Sequence, residues 1–271
     1  GYVSMGSYTS LSNLIWLDVA RSHVIMIAGK RGSGKSYTIG AIAEELCDLP
    51  KEVSQNIAPL IFDTMGVFWT MKYKNEKEAE LLAEWNLKPK NLPIVIWAPY
   101  GFYEEYEKRN IPVDRKFALK PNEISAEDWI TTFELGMVDP ISVLIQKTIA
   151  DIEGDYDLDE IIKQIESEKA DEKTKAATVS LFEAAKTWRI FASKGQKGTK
   201  MSELISPGRS TILDLSCYSS IGNFNVRAFV NGLLSKRIFN DRMLARKKEA
   251  MLALQHGEDY LNQHPSSQPS L

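Results

Sequence analysis

Short apolar runs alternate with segments of helical periodicity in the first hundred residues of the chain. The runs at 23–28, 59–63 and 93–98 are rich in β-branched residues, which is typical of buried parallel strands. Apolar residues recur at helical spacing within 39–46 and again within 76–85. The order strand, helix, strand, helix, strand predicts an α/β fold with a mainly parallel sheet flanked by helices.

The pattern becomes helical in the middle of the chain, from about residue 104 to residue 205. Ser125 and Asp128 have the spacing of a capping box ahead of an apolar helical segment. We therefore predict a helical insertion at 104–205. The core domain is expected to comprise residues 1–103 and 206–271.

Strand character returns at residues 210–216, and a long helix is predicted from Asn223 to Leu254. The tail at 256–271 contains prolines and serines without periodicity, so we expect a loop or a disordered segment there.

The turn between the first predicted strand and the first predicted helix carries the clearest chemical signal. It matches the Walker A pattern G-x-x-x-x-G-K-[ST], which is the phosphate-binding loop of P-loop NTPases. In such a loop, glycines let backbone N–H groups surround the phosphates, Lys35 reaches the β and γ phosphates, and the Ser36 hydroxyl ligates Mg²⁺. A chance Gly/Ser-rich turn is the alternative interpretation. The predicted cofactors are ATP and Mg²⁺, and the expected nucleotide contacts are Gly29, Lys30, Arg31, Gly32, Ser33, Gly34, Lys35, Ser36 and Tyr37.

Two carboxylates end apolar strands at the edge of the sheet where ligands bind in parallel α/β folds. Asp63 and Asp214 are therefore candidates, beside Lys35, for a catalytic role in holding Mg²⁺ or orienting water. The alternative is that each carboxylate caps the turn that follows its strand. Arg209, just before the last predicted strand, is a further candidate as an arginine finger.

Composition and charge restrict the cellular environment and the partners that we expect, but they do not identify the function. The 271 residues are 44% hydrophobic, and the formal net charge is -3, which does not by itself favour nucleic acid. Cys47 and Cys217 form no C-x-x-C pair, and no apolar run reaches the length of a membrane span. We expect a reduced, cytoplasmic protein without zinc or a membrane partner, and the non-Met start suggests a piece of a longer protein.

Two charged patterns each have a structural alternative. The basic run at 242–248 could contact DNA phosphates or could form the solvated face of a long helix. The acidic pattern at 155–159 has calcium-loop spacing at several positions, but Glu160 stands where the loop requires glycine. A helix cap is therefore the favoured interpretation of that pattern.

Together these features resemble the HerA/FtsK superfamily of P-loop motors, and most of all the archaeal HerA-type ATPases. The resemblance is carried by residues 21–36, 61–66 and 207–216, and by the long helix that follows. It implies a RecA-like (ASCE) ATPase that forms a homo-oligomeric, hexameric ring, moves double-stranded DNA, and often acts with a partner nuclease.

The resemblance also implies a Walker B strand ending in Asp-Glu after the long helix, and an arginine finger beyond it. We expect both beyond Leu271, so the catalytic glutamate is assigned to no residue of this sequence. A nucleotide-binding switch or scaffold without motor activity is the principal alternative function, and a P-loop kinase is a third.

Overall fold

The chain divides into two compact units, residues 1–41 and 42–271. A computed structural model describes residues 2–5, 8–11, 16–18, 23–218 and 226–263.

The first unit contains a β-hairpin and the start of a helix. Strand β1 (Tyr2–Met5) pairs antiparallel with β2 (Tyr8–Leu11). Helix α1 (Lys35–Asp48) begins directly after the glycine-rich turn, as the sequence predicts.

The predicted strand at 23–28 is wrong. Residues 23–29 have no regular secondary structure, and Val24, Ile25 and Met26 are exposed. β-branched composition favours a strand only where backbone pairing and side-chain cover are also present. The exposed side chains of this segment lack that cover.

The second unit is built on a four-stranded, all-parallel sheet, which confirms the predicted α/β architecture. Its strands are β3 (Leu60–Asp63), β4 (Ile94–Pro99), β5 (Arg115–Phe117) and β6 (Ser210–Asp214), in the order β3-β6-β4-β5. Strand β6 is paired on both sides, and all five of its residues are buried. The register aligns Asp63 with Asp214, so the two candidate carboxylates end neighbouring strands at one edge.

Helices and short 3₁₀ turns surround this sheet. The 3₁₀ turns are Phe68–Lys72, Pro121–Glu123 and Ser216–Tyr218. The helices are α2 (Lys51–Ser54), α3 (Ala79–Glu84), α4 (Tyr103–Lys108), α5 (Ala126–Thr132), α6 (Pro140–Asp151), α7 (Leu158–Ser167), α8 (Glu172–Lys186), α9 (Met201–Leu204) and α10 (Val226–Gln263).

The segment 104–205 is mainly helical and shares one hydrophobic core with the sheet. Buried side chains of α5, α8 and α10 meet those of β4 and β6 in that core. Strand β5 was missed, because three residues are too few to show a period of two.

Side-chain caps fix the starts of helices α5 and α7 in this segment. The Ser125 hydroxyl accepts a hydrogen bond from Asp128 N at 3.2 Å, and both halves of the predicted capping box are present. The Asp157 carboxylate accepts from Asp159 N at 3.0 Å and Glu160 N at 3.2 Å. The calcium-loop spacing is therefore a helix cap.

The last helix is longer than the pattern indicates. Its predicted start at Asn223 lies outside the described residues, but α10 continues to Gln263. The prediction of a loop is therefore wrong for 256–263, and 264–271 lie outside the described residues. Most residues of the last turns are good helix formers, and a single glycine at position 257 costs only about 1 kcal/mol.

Candidate functional site

The glycine-rich turn has the backbone conformation that its sequence requires. Gly32 has φ +80° and Gly34 has φ +86°, in the left-handed region that residues with a Cβ disfavour. A Cβ built on either glycine would have no neighbour within 4 Å, so conformation and not crowding requires glycine there. Gly29 differs, because its Cβ would collide with the Ser33 hydroxyl.

Lys35 lies over the turn that precedes it. Its ammonium donates to the carbonyl oxygen of Gly29 at 2.9 Å and of Lys30 at 2.7 Å. Ser33 N donates to Lys30 O at 3.2 Å, and Thr38 N donates to Gly34 O at 2.9 Å as helix α1 begins. The turn thus places a cation beside the amino end of a 14-residue helix.

This arrangement suits a phosphate chain. The first turn of a helix has backbone N–H groups without intrahelical acceptors and carries a partial positive charge. Open space surrounds Gly32 and Gly34, while Ser36 and Tyr37 are exposed next to Lys35. Lys30 and Arg31 are also exposed and add positive charge. The residues present therefore fit magnesium-bound ATP, with Ser36 as the side chain that would hold the metal.

Asp63 holds the turn after β3. One carboxylate oxygen accepts from Met65 N at 3.1 Å and Gly66 N at 2.7 Å. The other accepts from Val67 N and Phe68 N, both at 2.8 Å. Four backbone donors occupy a side chain that is 1% exposed, so the geometry favours the capping interpretation of Asp63.

We expect Asp63→Asn to lower the free energy of unfolding by about 2 kcal/mol, because an amide presents one acceptor oxygen where the carboxylate presents two. Chemical denaturation monitored by circular dichroism measures this loss. Glu76→Gln, at an exposed position, is the control. A stability equal to that of the unchanged chain would contradict the capping role.

Asp214 lines a cavity of about 590 Å³ at the carboxyl edge of β6. Its carboxylate accepts from Ser216 N at 2.8 Å. Burial raises the pKa of this carboxyl, and the neighbouring charge of Asp63 adds to the rise. Burial also raises the pKa of the Tyr106 hydroxyl, and that of the Cys217 thiol to about 12. The lining residues are Met65, Gly66, Trp69, Phe102, Glu105, Tyr106, Arg109, Ile111, Asp214, Ser216 and Cys217.

No sequence pattern indicates Arg189, which contacts two lining residues of this cavity, Phe102 and Glu105. Arg189 has φ +53°, an uncommon conformation for a residue other than glycine. Its guanidinium donates to Glu105 at 2.6 Å and to the Gly101 carbonyl, and it lies 4.5 Å from the centre of the Phe102 ring. Arg189 is 84 residues from Glu105, so no local pattern connects them.

The remaining candidates lie elsewhere in the second unit. Arg209 is exposed at the amino end of β6, about 16 Å along the strand from Asp214. Within the basic half of α10, Arg242 pairs with Glu249 at 3.0 Å. Residues 246–248 of the same helix carry exposed cationic side chains.

Comparison with known families agrees with this geometry. A family model for the central domain of helicase HerA matches residues 8–236. The chain belongs to the HerA central-domain family. Membership places it among the P-loop ATPases of the HerA/FtsK superfamily, in agreement with its parallel α/β fold. A search of curated proteins finds no match to this HerA-family chain. Within the described residues, no helix combines the length and the apolarity needed to span a bilayer.

Proposed function

We propose that this HerA-family chain is a subunit of an ATP-dependent translocase that acts on double-stranded DNA. The observation that carries the proposal is the phosphate loop, with two left-handed glycines and the Lys35 ammonium held over the turn before α1. The family match over residues 8–236 supports a motor of the HerA type. In this proposal the chain works in the cytoplasm as a homo-oligomeric, hexameric ring with a partner nuclease.

The proposed nucleotide chemistry is divided among neighbouring residues of the loop. Bound magnesium–ATP supplies the phosphoanhydride bond and the metal that neutralises part of its charge. Lys35 would exchange its carbonyl acceptors for phosphate oxygens, and the Ser36 hydroxyl would ligate the metal. Backbone N–H groups of the loop bind the phosphates, and Gly32 and Gly34 permit the conformation that directs them.

We assign different roles to the two carboxylates at the strand ends, Asp63 and Asp214. Asp63 acts indirectly, by holding the turn at residues 64–68 through its four backbone hydrogen bonds. Asp214 has fewer backbone partners and remains the better candidate for a direct role at this edge.

DNA contact is proposed for the exposed cations of α10. Arg246, Lys247 and Lys248 lie outside the ion pairs that tie Lys236 to Asp128 and Arg237 to Glu123. Cations that are free to approach phosphate release counterions from DNA and give salt-dependent binding.

We expect double-stranded DNA to raise the ATP turnover of the complete protein about tenfold at low salt, because phosphate contacts are strongest there. Steady-state phosphate release with and without a blunt duplex, across a salt series, measures the effect. Stimulation should fall as salt rises. ATP hydrolysis that does not respond to DNA at low salt would contradict the translocase assignment and favour a switch or scaffold.

A charge-removed variant separates DNA contact from nucleotide chemistry. Replacing Arg246, Lys247 and Lys248 together by glutamine should reduce the salt slope of DNA binding by about 2.7, at about 0.9 per lost phosphate contact. Turnover without DNA should stay unchanged. Lys236→Gln is the comparison, since that lysine is already paired with Asp128 at 2.8 Å.

A further inference from the structure

The cavity beside Asp214 is lined by residues outside the phosphate loop, and its walls resemble those of a ligand site. Its volume of about 590 Å³ lies within the range of small-molecule pockets, about 300–1,000 Å³. All of its lining residues belong to the second unit, whereas the phosphate loop belongs to the first. The argument for a ligand here therefore does not depend on the loop.

Aromatic side chains form much of the cavity wall. Trp69, Phe102 and Tyr106 all line it. The Phe102 ring is held by the Arg189 guanidinium, and by the edge of the Tyr218 ring at 5.5 Å between ring centres. Trp69 meets Tyr73 edge-on at 6.3 Å. A flat apolar or aromatic group could pack on rings that are already fixed, which lowers the entropic cost of binding.

The charged side chains of the cavity wall differ in whether they have a partner of opposite charge. Glu105 is paired with Arg189 at 2.6 Å, so its carboxylate is already neutralised by a cation. Arg109 is exposed at the cavity, and its backbone N–H donates to Glu105 O and Tyr106 O, both at 3.1 Å. Beside the Arg189 hydrogen bond, its guanidinium helps to lower the pKa of Glu105 but, among the described residues, forms no side-chain hydrogen bond or close ion pair. The Asp214 carboxylate at the back of the cavity accepts a hydrogen bond from Ser216 N at 2.8 Å. The Arg109 guanidinium is therefore the lining group that is placed to pair with a ligand, and it would pair with an anion.

Hydrogen-bonding groups complete the site. The Tyr106 and Ser216 hydroxyls lie 3.4 Å apart on the cavity wall, and either oxygen can donate or accept. Gly66 lies so close to the Ser216 hydroxyl that a Cβ at position 66 would be 2.8 Å from Ser216 Oγ. Polar groups placed among apolar and aromatic side chains are what give a small-molecule site its specificity.

We propose that this cavity binds a small aromatic anion, with its ring against Trp69 and Phe102 and its carboxylate or phosphate on Arg109. Two sources share this chemistry. One is a free nucleoside monophosphate, and the other is an aromatic carboxylic acid. Arg109 suits either group, because its planar guanidinium can donate two parallel hydrogen bonds.

Calorimetric titration of the full chain tests the site. The Lys35→Ala background without magnesium removes the contribution of the phosphate loop, and the probes are adenosine 5′-monophosphate and indole-3-acetate. We expect at least one probe to bind with a Kd at or below about 1 mM. The probe that binds more tightly identifies the source.

Two neighbouring cations provide the matched comparison. Arg109→Gln should weaken binding of the preferred probe about tenfold, the scale of one charge-assisted contact. Lys108→Gln, which removes an exposed charge that does not line the cavity, should leave it unchanged. Trp69→Leu should also weaken binding, by removing the ring contact.

Two results would overturn the proposal. One is that neither probe binds at about 1 mM to a chain with unchanged circular dichroism. The other is that Arg109→Gln and Lys108→Gln weaken binding equally, which would indicate nonspecific attraction to positive charge. Both results concern the cavity alone, so they leave the ATPase proposal standing.

Discussion

Lys35→Ala is expected to lower the ATP turnover of the complete HerA-family protein by at least about 100-fold, the scale of losing one preorganised charge-stabilising donor. The Lys35 ammonium lies 2.9 Å from Gly29 O and 2.7 Å from Lys30 O, so it is already held over the loop before any phosphate arrives. Alanine removes both the positive charge and this tether. Magnesium-dependent phosphate release and equilibrium binding of ATP measure the two consequences separately.

The fold should survive this substitution. Lys35 is only partly buried, and substitutions at such positions usually change the free energy of unfolding by about 0.5 kcal/mol or less. Lys77→Ala is the matched control, because Lys77 is an exposed lysine outside the loop. ATP binding and turnover equal to those of the Lys77→Ala chain would refute the assignment of the phosphate loop.

The phosphate loop could be predicted from sequence because all of its parts are consecutive. The positive φ of Gly32 and Gly34, and the helix that begins at Lys35, depend on residues within one turn of each other. The same reasoning failed for the preceding strand at 23–28. A strand is completed by partners that are distant in sequence, and composition alone does not supply them.

The sheet illustrates the same limit within the second unit. Strands β3, β4 and β6 were found because each is an apolar run of four to six residues bounded by turn residues. Their order was not predicted, since β6 lies between β3 and β4 although about 110 residues separate it from β4. The alignment of Asp63 with Asp214 follows from that order.

The cavity could not be predicted from the sequence for a related reason. Its wall joins residues from the turn after β3, from α4 and from the turn after β6. Arg189, which follows α8, contacts Phe102 and Glu105, although both lie more than eighty positions earlier in the sequence. Asp214 could be named as a candidate from its strand end, whereas Arg109 has no local pattern that distinguishes it from any surface arginine.

Phe182→Ala is expected to lower the free energy of unfolding of the second unit by about 3–5 kcal/mol, the range for truncating a buried phenylalanine. Phe182, on α8, is fully buried and meets Trp129 edge-on at 5.1 Å and Phe133 at 5.5 Å between ring centres. Alanine leaves a void among rings that cannot collapse without losing their own contacts. Guanidinium unfolding followed by tryptophan fluorescence measures the loss.

Phe239→Ala is the control, because it removes an equal side chain that is 65% exposed on α10. It should change the free energy of unfolding by about 0.5 kcal/mol or less. Equal losses in the two variants would mean that the aromatic cluster does not hold α8 to the sheet.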